Sequence, residues 1–111
     1  MPEPTPGQPS FIATRDLIGV DASRGSFAIR IRIGLPHQTE FGDWRCPLDL
    51  EGLYSSLKGP VGVDAFQALM LAKQLARRLL TAFVERGGVL LDGPGGHTVS
   101  VPGLFDSSRM S

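Results

Sequence analysis

Residues 64–88 read DAFQALMLAKQLARRLLTAFVERGG, and their spacing decides the fold. Ala65, Ala68, Leu69, Leu71, Ala72, Leu75, Ala76, Leu79, Leu80, Ala82 and Phe83 fall on one arc about 180° wide at helical pitch. Asp64 is a good N-cap, and Gln67 stands three residues on, at the capping-box position. Gly87-Gly88 supply the left-handed terminator. The spacing predicts a helix of roughly 23 residues, about 34 Å long. Alanines hold the middle of the arc, so the axis lies close to whatever it covers, while leucines fill the flanks. Gln67, Gln74, Arg78, Thr81 and Glu85 form the wet face.

The segments before the helix read as strands. Phe11 to Ile18 is rich in β-branched and aromatic residues but alternates poorly, so its buried face stays open. Phe27, Ile29, Ile31 and Ile33 alternate with Ala28, Arg30 and Arg32, the period of a half-buried strand. Asp21 to Gly25 turns the chain between them. After a loop over 34–43, Trp44, Cys46, Leu48 and Leu50 alternate with Arg45, Pro47, Asp49 and Glu51. Pro47 has no N–H to give a ladder, so this third strand is an edge or bulged there. The three strands predict an antiparallel meander.

Past the helix, Val89 to Asp92 predicts a short strand, Gly93 to His97 a turn, and Thr98 to Val101 a hairpin return. The order is βββ-α-ββ. The fold class is α+β: a small, mostly antiparallel sheet with one long helix on one face. Residues 1–9 hold four prolines and little apolar mass, which predicts a flexible N-terminal arm. Residues 10–104 make a single α+β domain, and 105–111 a flexible C-terminal tail.

Composition narrows the function. Eleven basic residues balance eleven acidic ones, so no overall field steers the chain to nucleic acid or anionic lipid. No nucleic acid is expected. No apolar run approaches the roughly 18 residues needed to cross a membrane. One cysteine, Cys46, allows no internal disulfide. The start, Met1-Pro-Glu-Pro-Thr-Pro-Gly-Gln-Pro, lacks a signal peptide's basic and apolar regions. A cytoplasmic location is the expectation.

Chemistry-bearing residues are sparse. Cys46 shares its strand face with Trp44, Leu48 and Leu50, and an apolar setting leaves little thiolate. His37 and His97 lie in predicted loops without a ligand pair at close spacing, so no metal or cofactor is expected. Gly93-Pro-Gly-Gly-His97 sits between strands, not ahead of a helix as a phosphate cradle requires. Lys58 to Val63 does lead into a helix start, but Asp64 already places negative charge there. Asp49 and Glu51 read as cross-strand partners of Arg30 and Arg32 rather than a carboxylate pair for acid–base work. No catalytic residue emerges.

Phe66, Met70, Lys73, Arg77 and Val84 share one meridian at the helix edge. An aromatic, a methionine and an arginine together are typical of an interface. They also suit a sheet rim over which cationic stems lie. Two functions follow. The first is a non-enzymatic protein-interaction or self-association module, a homodimer or an immunity-like partner of another protein. The second is a small-ligand or enzymatic domain with a pocket under the 52–63 loop, near Tyr54 and Cys46.

Two segments are distinctive together, Trp44-Arg-Cys-Pro47 and Gly62-Val-Asp-Ala-Phe-Gln-Ala-Leu-Met-Leu-Ala72. With Phe11-Ile-Ala-Thr-Arg15 they resemble a family of small bacterial proteins carried as a domain of unknown function. The resemblance spans roughly residues 11 to 92. It implies a bacterial origin and a single-domain chain, and it brings no catalytic residue. Asp64 and Gln67 match that family's helix-start motif.

Overall fold

The computed structural model describes residues 10–106. The expected arm over 1–9 and residues 107–111 of the expected tail over 105–111 lie outside the described residues, while Phe105 and Asp106 are held in the fold by the last short helix and by Arg77.

Strands β1 (Phe11–Asp21) and β2 (Gly25–Gly34) form a long antiparallel hairpin. Its turn is held by Asp21, whose carboxylate accepts from the Arg24 backbone N–H at 2.6 Å. Alternation along β2 is as the sequence dictates: Ile29 and Ile31 are buried and Arg30 is exposed. The face left open for β1 is fixed by register. Leu17 pairs with Ile29 and enters the core, while Asp16 pairs with Arg30 on the wet side.

The predicted third strand is two strands in different sheets. β4 (Trp44–Arg45) joins β3 (His37–Gln38) and β6 (Val61–Gly62) in a small sheet ordered β3-β4-β6. β5 (Leu48–Glu51) joins the main sheet. The break falls at Cys46-Pro47 for the reason that limits proline in a ladder: Pro47 has no N–H to donate. The Cys46 N–H donates to Pro60 at 3.1 Å, while the Pro47 carbonyl accepts from Gly34 at 2.8 Å. The chain crosses between sheets there. β3 occupies part of what read as a loop.

Helix α1 spans Ala65–Glu85. Asp64 accepts from the Gln67 N–H at 2.7 Å. The Gln67 amide oxygen accepts from Val63 at 2.7 Å, one residue ahead of the usual capping-box donor. At the far end the Gly88 N–H reaches the Phe83 carbonyl and the Gly87 N–H that of Val84, both at 3.0 Å. This is the Schellman closure, and Gly87, at φ 99°, takes the left-handed position. Ala68, Ala72 and Ala76 are wholly buried at mid-arc.

β7 (Val89–Leu91) completes a main sheet ordered β5-β2-β1-β7. The second predicted strand after the helix is a single bridge, Leu91 to Thr98. Ser100 then caps a short helix, α2 (Val101–Phe105), accepting from the Gly103 N–H at 3.0 Å. A capping serine followed by proline early in a helix favours this turn over a strand. Val101 is buried and Phe105 is half-buried against the main core, which joins Leu17, Ile29, Ile31, Leu50, Leu80, Phe83 and Leu90. The fold is α+β, antiparallel sheets under one long helix.

Candidate interaction surface on helix α1

The capped start and the alanine-centred arc fix how α1 is rotated on the sheets. With the alanines facing down, residues 66, 70, 73, 77 and 84 lie along one flank. Phe66 is 72% exposed and Val84 40%. Met70 is half-buried, and Lys73 between them is exposed. Arg77 forks onto Asp106 just past α2, at 2.8 and 2.9 Å. That hydrogen-bonded pairing holds the Asp106 carboxyl below its ordinary value and raises the Arg77 guanidinium. Arg77 therefore ties α2 to α1 within the chain.

Val63, 76% exposed, lies just ahead of the helix and extends the apolar surface beyond Phe66. It holds the position before the cap that often packs against the fourth residue of the helix, here Ala68, which is buried against the small sheet. Phe41, in the turn between β3 and β4, is 85% exposed. Sequence patterning missed both, because neither lies on a periodic face.

The same flank borders a groove. Ala13, Thr14 and Arg15 of β1, Ile33 of β2, Lys73 of α1 and Phe105 of α2 line a space of about 280 Å³. A second cleft, of about 650 Å³, opens beside the 52–63 loop. Leu57 and Lys58 come from that loop, and Phe11, His37, Arg45 and Asp49 from the sheets. Arg45 donates to the Gly59 carbonyl at 2.8 Å and braces the loop. Tyr54 packs on the main core instead of lining the cleft.

Cys46 is wholly buried beside Ala68 and Ala72, and burial pushes its thiol pKa up. His97 is exposed in its turn, and His37 is exposed on β3. Among the described residues no three His, Cys, Asp or Glu side chains gather as a metal site would. The ladder of charge is cross-strand. Arg32 pairs with Asp49 and lies 3.8 Å from Glu51, while Arg30 pairs with Asp16 of β1 at 2.7 Å. That bond lowers the Asp16 pKa.

Fold and surface define a small α+β domain with its longest helix bearing an apolar flank. The chain belongs to the family described as a domain of unknown function, DUF6968, whose model matches residues 13–100. Both distinctive segments, 44–47 and 62–72, fall inside that match. No curated protein and no solved structure matches the chain. Among the described residues, no helix is long and apolar enough to cross a membrane.

Proposed function

We propose that this domain is a non-enzymatic interaction module that associates with a second copy of itself through the flank of α1. The observation that carries the reading is the exposure of Phe66 in the first turn of α1 and of Val63 just ahead of it, with half-buried Met70 one turn beyond Phe66. Large apolar side chains in one contiguous spot mark contact surfaces more often than isolated ones do. Two-fold association is the commonest oligomer and lets one patch meet itself.

Sedimentation velocity of wild type and Met70→Glu at matched concentrations tests it. Wild type should sediment as a dimer. The variant should be monomeric, because the new carboxylate would be buried unpaired at a cost of about 3–5 kcal/mol. A monomeric wild type, or a variant that still dimerises, removes the reading. A wild type monomeric alone that associates only with another protein would reassign the flank to that partner.

A second reading rests on the cleft beside the 52–63 loop. Arg45 and Lys58 at an apolar hollow suit a small anion with an apolar body. Saturable amide shifts at Leu57 and Lys58 with short-chain carboxylates would favour it.

A further inference from the structure

β1 is longer than the strand that covers it. β7 pairs only with Ile18 to Val20. Among the described residues no strand covers the same edge over Phe11–Leu17. The direction of the peptide groups there follows from β7. The Leu90 carbonyl accepts from Val99, and the Asp92 N–H donates to His97, both on the side away from β1. Val89 and Leu91 therefore turn their peptide groups toward β1, at Val20 and Ile18. Alternation along an antiparallel ladder then aims those of Asp16 and Thr14 at the uncovered edge.

The uncovered stretch has Thr14 at its centre. A two-fold axis perpendicular to the sheet, passing between Thr14 and the partner's Thr14, lays Ala13–Arg15 antiparallel on their own copy, with the bulge between Phe11 and Ala13 at one end of the new ladder. Thr14 then exchanges hydrogen bonds with the partner's Thr14, and Asp16 falls opposite the bulge at the partner's Ile12. Arg15 stands opposite the partner's Ala13, so no like charges oppose each other directly. Asp16 is already neutralised by Arg30 on the neighbouring strand. The added strand would close the open side of the groove that Ala13, Arg15, Lys73 and Phe105 line. Because the axis keeps both helices on one face, it would bring the two α1 flanks together.

We infer that a second copy of the chain pairs with this one along β1, antiparallel about Thr14, joining two four-stranded sheets into one. The inference rests on the self-association proposed above and locates its backbone contact.

Thr14→Pro tests it directly. Proline removes an N–H that faces the free edge, where β2 makes no use of it, so the hairpin is spared. Sedimentation should show Thr14→Pro monomeric and Thr14→Val dimeric. Amide exchange in wild type gives a measurement that needs no variant. Thr14 and Asp16 should exchange at least about ten times more slowly at dimeric than at monomeric concentration, a factor equal to 1.4 kcal/mol. A dimer that survives Thr14→Pro but is lost in Met70→Glu overturns the strand pairing and leaves the α1 flank standing. A dimer lost in Thr14→Pro but kept in Met70→Glu does the reverse. A monomeric wild type, or exchange at Thr14 and Asp16 that ignores concentration, overturns the pairing.

Discussion

Replacing Gly59 with alanine is expected to destabilise the domain by about 2–6 kcal/mol, among the largest effects of any single substitution. Gly59 has φ 97°, where an L side chain is strained by about 1–3 kcal/mol. A Cβ there would also stand 1.9 Å from the Cys46 carbonyl oxygen and 3.0 Å from the Leu48 nitrogen. Those atoms are backbone at the crossing between the two sheets, tied down by the Gly34–Pro47 and Cys46–Pro60 bonds. They have little room to give, so overpacking adds about 1–3 kcal/mol. Gly95→Ala is the control. It too has a positive φ, but nothing lies within 4 Å of its Cβ position, so only about 1–2 kcal/mol is expected. Urea midpoints at constant m-value compare the two. Equal losses would mean that the loop does not pack on the crossing.

Ala72→Leu is expected to cost about 1–3 kcal/mol by overpacking, because Ala72 is wholly buried where α1 comes nearest the small sheet. Gln74→Leu adds comparable apolar mass on the exposed face and should stay within about 0.5 kcal/mol of wild type. The pair tests the rotation of the helix, on which the identity of the α1 flank depends. Similar midpoints for the two variants would put the arc, and Phe66 and Met70 with it, on the wrong side.

How much of this was legible follows the range of the interactions. The helix was readable because its cap, period and terminator are all local, from Asp64 through Ala68, Ala72 and Ala76 to Gly87. The β2 alternation was readable for the same reason. What misled was the 44–51 segment, whose period-2 pattern runs unbroken through Pro47. The hydrophobic pattern records which side is buried and not which sheet buries it, and both sheets lie under α1. The end of the chain misled differently. Ser100-Val-Pro carries a helix start, but its alternation with Thr98 reads equally as a strand. The face of β1 was unreadable because its first half, Phe11 to Asp16, is exposed on both sides. That is the stretch whose edge lacks a covering strand among the described residues. Residues 66, 70, 73, 77 and 84 lie along one flank of α1 as their spacing dictates, yet Arg77's engagement with Asp106 depends on α2, which the sequence did not disclose.

Self-association through α1 requires its flank to be covered in solution. The Met70 methyl group reports this most directly. Its resonance among the chain's three methionines can be assigned by loss of signal in Met70→Leu. Line broadening by a soluble gadolinium chelate should be strong in dilute protein and should fall several-fold as concentration rises through the dimerisation range. Broadening that is the same at both ends of that range would show Met70 facing water throughout, and would contradict the account.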